Sequence, residues 1–334
     1  MVKNLKEIKV FIPREISSIG IDLLKKEGFQ VTIWPHDSPI PPGELIKQAK
    51  QANAVLCLGT DKIDAAFLNE CKHLEIISQF AVGYDNINVA EATRLGIPIG
   101  NAPGAMSNAT ADIAFGLMIA VSRKFFYMHK QIIKGEWNYF RPKANLGMEL
   151  KNKTLGVFGL GRIGMEMAKR CKGAYEMEII YYNRSRNEEA EKSLGARKVS
   201  FEELLHQSDI LSVHSALSSE TRGIFNKDAF SKMKPTSIFI NTSRGPVHNE
   251  EDLLEALNNG TIWGAGLDVT NPEPMKADNP LLQMENVAIL PHIGSATIEA
   301  RGEMSRLAAL NIIEFYKGNK IPNIVNPEVF KKNS

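Results

Sequence analysis

Residues 155–164, Leu-Gly-Val-Phe-Gly-Leu-Gly-Arg-Ile-Gly, constrain this chain more than any other stretch. The apolar run 155–158 predicts a short buried strand. Gly159-x-Gly161-x-x-Gly164 follows at once, and 165–172 continue in helix-forming residues. Strand, glycine turn and helix in that order are the context of a dinucleotide fingerprint. Gly159 allows the tight turn, Gly161 lets the backbone come close to a pyrophosphate, and Gly164 lets the helix pack near the strand. Unpaired N–H groups at the helix start carry partial positive charge and attract phosphate. A plain glycine turn is the competing reading, and the flanking strand and helix favour nucleotide binding.

Residues 178–182 (Glu-Ile-Ile-Tyr-Tyr) predict the second strand. An NAD-preferring site places Asp or Glu near its end to bond the ribose 2′-OH. Here Asn183 stands nineteen residues after Gly164, followed by Arg184, Ser185 and Arg186. No carboxylate is present to repel a 2′-phosphate, and two guanidiniums offer forked, charge-assisted hydrogen bonds to one. The alternative makes both arginines surface residues of a polar loop. With the acid missing at the same spot, NADP(H) is the expected cofactor, with NAD(H) possible.

At 334 residues the chain is too long for one core and suits two domains. A hydrophobic fraction of 43% with 23% charged residues is that of a globular protein, and a net charge of +2 gives no case for nucleic acid or an anionic membrane. Cys57, Cys71 and Cys171 are scattered, without metal-ligand spacing or a disulfide framework, so no metal is expected and a reducing cytoplasm fits. The first residues, Met-Val-Lys-Asn-Leu-Lys-Glu, lack a signal-peptide core, and no apolar stretch is long enough to span a bilayer.

Strands are predicted at 8–12, 30–34, 54–58, 74–79 and 97–99, with helices at 19–26, 44–52, 65–71 and 89–95 between them. Such alternation implies a parallel sheet with helices on both faces. This first part holds no phosphate-type glycine pattern. After the break Asn101-Ala102-Pro103-Gly104, one long helix is predicted over 107–134. Its Phe125, Phe126, Tyr127 and Met128 exceed the needs of one buried stripe, which points to a subunit interface rather than an ordinary core helix. A loop-rich excursion over 137–150 leads to the glycine strand. Beyond Asn183, strands are predicted at 210–214, 237–241, 263–269 and 287–290, and helices at 201–205, 225–230, 250–258 and 298–316. The last helix is expected to return to the first domain, with 291–295 as the crossing point.

In open parallel sheets, ligands bind outside the carboxyl ends of the strands. In the second part those ends carry His214, then Thr242-Ser243-Arg244-Gly245, then Asp268 with Glu273, then His292. His214 reads best as a satisfied rim histidine, because no acid follows it nearby. Arg244 is either a surface turn or, leaving a buried strand towards a cleft, a bidentate carboxylate clamp. Glu273 is either solvent-facing or fixed by Pro272 and Pro274 for a task. His292 is the best proton-transfer candidate, since a carboxylate neighbour favours its charged form.

These residues carry a resemblance. Phe80-Ala81-Val82-Gly83-Tyr84-Asp85-Asn86-Ile87, the glycine stretch 154–164, Asn241-Thr242-Ser243-Arg244-Gly245, the run 264–274 and Pro291-His292-Ile293-Gly294-Ser295-Ala296-Thr297 together resemble the D-isomer-specific 2-hydroxyacid dehydrogenase family, in particular its glyoxylate/hydroxypyruvate reductase branch. The resemblance covers nearly the whole chain. It implies an α/β fold of two doubly wound parallel-sheet domains, with a Rossmann dinucleotide-binding domain at 102–292 inserted into a substrate domain at 1–101 plus 293–334. His292 is then the proton donor and Glu273 its partner. Arg244 binds the substrate carboxylate and keto oxygen, and Asp268 holds the nicotinamide amide. The N–H groups around Val82 and Gly83 receive the carboxylate. The expected cofactor contacts are Thr110, Gly159, Leu160, Gly161, Arg162, Ile163, Gly164, Asn183, Arg184, Ser185, Thr242, Ser243, Arg244, Asp268, His292 and Gly294. A homodimer built on the helix near Ser107 is also implied.

Two positions depart from the family pattern. Many members carry Asp where Asn183 stands, so no NAD preference is implied. Many carry Pro where this chain has Ala216, which loosens a loop on the adenine side. The leading expectation is an NADPH-dependent reductase of glyoxylate and hydroxypyruvate. A 2-ketogluconate reductase is the alternative among enzymes, decided by loops such as Gly59-Thr60-Asp61 and 137–141. A nucleotide-sensing, corepressor-like binding protein is the alternative outside them, and the complete set Arg244, Glu273 and His292 stands against it.

Overall fold

The computed structural model describes residues 4–331; positions 1–3 and 332–334, which include the outermost residues of the expected first domain and of the N-terminal stretch, lie outside the described residues. The chain divides into two units, one of residues up to Met106 with those from Ala296 on, the other Ser107–Ser295.

The first unit is a five-stranded sheet of β1 (Lys9–Ile12), β2 (Gln30–Ile33), β3 (Ala54–Cys57), β4 (Ile76–Gln79) and β5 (Ile99–Gly100), ordered β2-β1-β3-β4-β5 and paired in parallel throughout. Every residue of β3 and β4 is buried, as helices on both faces of a parallel sheet require. The order reverses between β1 and β3, so the loops after those strands diverge and leave a crevice at their carboxyl ends. Helix Ile298–Tyr316 supplies Ala308, Ala309, Ile312 and Ile313 to the same core as Val10, Ile12 and Leu24. It crosses helix Ser18–Lys26 so closely that a Cβ on Gly20 would lie 2.3 Å from the Ser305 carbonyl oxygen. Ser305 closes the crossing, accepting from the Gly20 N–H (3.1 Å) and donating to the Ser17 carbonyl (2.7 Å).

The second unit is a seven-stranded sheet of β6 (Thr154–Phe158), β7 (Glu178–Tyr182), β8 (Arg197–Lys198), β9 (Ile210–Val213), β10 (Ile238–Asn241), β11 (Gly264–Leu267) and β12 (Val287–Ile289). Its order is β12-β11-β10-β9-β6-β7-β8, again parallel, with the reversal between β6 and β9. This is the Rossmann arrangement with one added strand, and the reversal lies at the glycine strand. The expectation of two doubly wound sheets, one inserted into the other, is met.

Several elements differ in detail from expectation. The stretch 107–134 is two helices, Ser107–Ser122 and Phe125–Ile133. The break falls where the Ser122 carbonyl accepts from the Met148 N–H (2.8 Å) and Lys124 takes a left-handed φ of 57°. Lys124 is held there by Glu285 (3.0 Å) and by the face of Trp263. The helix expected at 225–230 is Lys227–Ser231, because the Asn226 side chain caps it and Phe225 bridges to His248. The last strand of the first sheet is Ile99–Gly100 rather than 97–99; Pro98 has no N–H to pair. Strand β8, two exposed residues, has no apolar pattern to reveal it. The units meet the chain at 106/107 and 295/296, against 101/102 and 292/293 in the sequence reading. Asn101 and Ala102 still bond back to Asn323 and Ala81, while Ile293 and Gly294 are tied to Asp268.

Candidate active site

The rim formed by the carboxyl ends of the second sheet begins at the glycine turn. Gly159 has φ 93°, and a Cβ there would sit 2.8 Å from the Ser215 nitrogen in the loop after β9. Gly164 is closed off by the Gly159 carbonyl and Val157, at 2.8 and 2.9 Å from an added Cβ. Gly161 is the N-cap of helix Arg162–Tyr175, and a Cβ on it would meet nothing within 4 Å. The approach to the helix start, with Arg162 and Ile163 in its first turn, is therefore open, which suits an anionic phosphate.

Leu160 between the glycines is gripped from β7. The Asn183 Oδ1 accepts from the Leu160 N–H (2.7 Å), and Asn183 Nδ2 donates to the Leu160 carbonyl (3.2 Å). Asn187 Nδ2 donates to the same carbonyl at 2.9 Å. Asn183 thus holds the loop through both faces of its amide, a role the sequence reading missed. Arg184 and Ser185 are exposed, and the Arg184 carbonyl accepts from Lys198 Nζ (3.2 Å). Arg186 is engaged by Glu191, which also accepts from the Tyr181 hydroxyl. Of the two guanidiniums, Arg186 is the one held away in an ion pair.

His214 is satisfied, as favoured from the sequence. Its ring lies 2.8 Å from Ser212 Oγ and 3.4 Å from Thr242 Oγ1, and burial lowers its pKa to about 4.

After β10, Asn241 shapes the turn. Its Oδ1 accepts from the Ser243 N–H and hydroxyl, both at 2.9 Å, and its Nδ2 donates to the Arg244 carbonyl at 3.0 Å. Gly245 lies against Thr270 so tightly that an added Cβ would be 1.8 Å from its carbonyl oxygen; no other residue fits. The half-buried Arg244 Nη1 donates to the Ser243 carbonyl (2.8 Å).

Glu273 and His292 meet from the loops after β11 and β12. Nδ1 of His292 and Oε1 of Glu273 are 2.6 Å apart. Both peptide bonds preceding Pro272 and Pro274 are cis. The hydrogen bond His292 donates to Glu273 raises the His292 pKa above the ordinary imidazole value, against burial and the Arg244 charge. Burial pushes Glu273 up, but the bond to His292 and the charges of His292 and Arg244 leave it below the usual carboxylate range. The Arg244 guanidinium therefore acts electrostatically on both partners.

Asp268 sits beneath this pair. It is buried, and its two oxygens accept from the Ile293 and Gly294 N–H groups, each at 2.8 Å. Burial raises its pKa while those bonds oppose the rise. Thr110, at the start of helix Ser107–Ser122, donates to the Gly294 carbonyl (3.0 Å). A Cβ on Gly294 would lie 3.0 Å from Asp268 and 3.2 Å from Thr110. Asp268, Thr110 and Gly294 thus lock the turn that carries His292, itself at φ 53°. Neither the lock nor the Asn241 turn was legible as a task, because each works through backbone groups.

Val82 and Gly83 belong to the first unit, just past β4. Their carbonyls accept from Asn101 Nδ2 (2.8 Å) and Gln79 Nε2 (3.1 Å), while among the described residues neither N–H has an acceptor.

Residues 115–294 match the family model of the D-isomer specific 2-hydroxyacid dehydrogenase, NAD binding domain. Over 325 residues, 96% of this chain and 97% of the other, the sequence is 45% identical to a glyoxylate reductase of Thermococcus litoralis. The chain belongs to the D-isomer specific 2-hydroxyacid dehydrogenases. Family members are NAD(P)H-dependent oxidoreductases, so the resemblance read from the motifs and the enzymatic reading both hold. Among solved structures, a glyoxylate reductase from Paecilomyes thermophila superposes with a TM-score of 0.86 at 32% identity, covering 96% of this chain and 98% of that one. An NADPH-dependent glyoxylate/hydroxypyruvate reductase from Sinorhizobium meliloti, in complex with NADP and malonate, gives 0.84 at 28% identity, covering 98% and 99%.

Proposed function

We propose that this dehydrogenase is an NADPH-preferring reductase of small 2-keto acids, turning glyoxylate into glycolate and hydroxypyruvate into D-glycerate. The observation that carries the reading is the 2.6 Å His292–Glu273 bond on a rim that also bears Arg244. The names of the relatives support glyoxylate as substrate. NADPH, when bound, supplies the hydride. His292 holds its proton because Glu273 stabilises the imidazolium, and with Nδ1 engaged it donates from Nε2 to the keto oxygen as negative charge develops there. Arg244 clamps the carboxylate and polarises the keto group. The N–H groups of Val82 and Gly83 are the first unit's carboxylate donors in this reading.

The glycine turn with Leu160, Arg162 and Ile163, together with Thr110, Thr242, Ser243 and Gly294, frames the cofactor. Asp268 retains lone pairs for the nicotinamide amide beside its two backbone bonds. NADPH preference is supported by a neutral amide at Asn183 and an exposed Arg184 with Ser185 next to it. A homodimer is supported by helix Phe125–Ile133, which buries none of its residues and leaves Ile133 73% exposed, and by Phe140 at 84%. Three buried, free cysteines suit a cytoplasmic setting. No helix among the described residues is long and apolar enough to cross a membrane.

The test is a matrix of glyoxylate, hydroxypyruvate and 2-ketogluconate against NADPH and NADH, read as nicotinamide absorbance loss. The expected result is the highest kcat/KM with NADPH and glyoxylate or hydroxypyruvate. A clear preference for 2-ketogluconate would replace the substrate assignment, and a preference for NADH would replace the cofactor assignment.

A further inference from the structure

His248 lies four residues beyond Arg244, outside every role assigned above, and is 1% exposed. Its ring packs edge-on against Phe239 of β10, with centroids 5.8 Å apart. Nδ1 is 3.0 Å from Asn241 Nδ2, while Nε2 is buried with no partner among the described residues.

The neighbours fix the orientation of the Asn241 amide. The Ser243 backbone N–H can only donate, and it lies 2.9 Å from the atom that must therefore be Oδ1. Nδ2 then carries two hydrogens, one directed to the Arg244 carbonyl at 3.0 Å and one to His248. His248 Nδ1 is accordingly an acceptor, and the ring proton sits on Nε2. Burial keeps the ring neutral, with its pKa lowered to about 4. A buried donor without a partner is costly, and an apolar side chain would fill the space on Phe239 without that cost. What the imidazole adds is the acceptor at Nδ1.

That acceptor completes the Asn241 amide. Without it, one Nδ2 hydrogen is buried and unpaired. The amide keeps its hold on Ser243 through Oδ1, while its Nδ2 end, which carries the Arg244 carbonyl, loses one of its two anchors. On its other side the Arg244–Gly245 backbone is pressed against the Thr270 carbonyl. The Thr270 N–H in turn lies 3.5 Å from Glu273 Oε2. The Arg244 peptide is thus set between a polar hold and a steric stop. We propose that His248 is a positioning residue for Arg244, acting through Asn241 and governing keto-acid binding. The inference rests on Arg244 being the carboxylate clamp of the proposed reductase.

The experiment compares wild type, His248→Phe, His248→Asn and Arg244→Lys in steady-state kinetics with glyoxylate and NADPH. His248→Phe keeps a ring on Phe239 and removes the acceptor; His248→Asn restores an amide oxygen near the Nδ1 position. The expected result is a glyoxylate KM raised on the order of tenfold in His248→Phe, with KM for NADPH unchanged, and most of that rise recovered in His248→Asn. Unchanged glyoxylate KM in His248→Phe, with a raised KM in Arg244→Lys, overturns the positioning role alone. Equal KM increases in His248→Phe and His248→Asn also overturn it, because packing would then be the cause. Unchanged KM in Arg244→Lys overturns the clamp reading and this inference with it. Should His248→Phe fail to fold, imidazole ¹⁵N NMR of the wild-type protein decides. A neutral Nε2–H tautomer with Nδ1 accepting supports the proposal, and an Nδ1–H tautomer overturns it.

Discussion

Replacing Glu273 with Gln preserves side-chain shape and an amide oxygen for the His292 Nδ1–H, and removes only the charge. In the wild type the hydrogen bond to that carboxylate is the leading reason the His292 pKa is raised, and its charge adds to the rise. A hydrogen bond to a charged group contributes about 1.5–3 kcal/mol and a neutral one about 0.5–1.5. Both side chains are 42% exposed, so solvent screens the pair and the lower end of the difference applies, about 1 kcal/mol. That corresponds to a roughly fivefold smaller protonated fraction, and an equal loss of kcat, at pH values above the His292 pKa. The sign follows from the protonation state each direction needs. Keto-acid reduction uses the imidazolium, so its rate is full below the raised pKa and falls as pH rises through it. In Glu273→Gln that fall begins at lower pH, and the two enzymes converge in acid. Oxidation of the hydroxy acid needs the neutral ring and responds the opposite way, extending to lower pH in the variant. The assay is kcat for glyoxylate with saturating NADPH across pH, with glycolate oxidation run in parallel. An alkaline limb at the same pH in wild type and variant would refute the role given to Glu273.

Arg244→Lys should weaken keto-acid binding and Arg244→Ala should weaken it further, since an ammonium restores charge without the planar fork; near-wild-type KM and kcat in both would remove the clamp. Asn183→Asp with Arg184→Ala should move preference towards NADH. Loss of a charge-assisted phosphate contact costs about 1.5–3 kcal/mol, so NADPH kcat/KM should drop roughly tenfold or more, whereas an already NADH-preferring wild type would contradict the assignment. The Asp can still accept from the Leu160 N–H, and Asn187 still holds the Leu160 carbonyl, so the glycine loop should survive that change. Phe125→Glu with Ile133→Glu should dissociate a dimer into monomers in sedimentation, and an unchanged sedimentation coefficient would place the interface elsewhere.

The fold was legible because its signals are carried by side chains at fixed spacing. Buried runs such as Val-Leu-Cys in β3 and the glycine turn after β6 announce parallel strands and a phosphate-type loop without help from tertiary contacts. The rim positions of Arg244 and His292 were likewise readable, since they stand just past the apolar strands β10 and β12, whereas Glu273, further into the loop after β11, was marked by its flanking prolines. What escaped works through the backbone or across distance in sequence. The break at Lys124 depends on Met148 and Glu285, which no local pattern near residue 124 reveals. Asn183 looked like a vacant ribose position, yet its amide is spent on Leu160. Asp268 looked like a ligand for the cofactor, yet both oxygens also hold the turn beneath His292. The split between Arg184 and Arg186 follows from Glu191, an unremarkable helix residue in the sequence.

The proton-donor claim is tested most directly by glyoxylate-dependent NADPH oxidation in wild type and His292→Ala, with NADPH binding followed separately by its fluorescence. Loss of a general acid typically costs about 10²- to 10⁴-fold. The expected result is a kcat reduced by that order while the NADPH dissociation constant stays at its wild-type value. A folded His292→Ala enzyme that turns over glyoxylate at near wild-type rate would contradict the account, because neither Glu273 nor Arg244 offers a replacement proton on this rim.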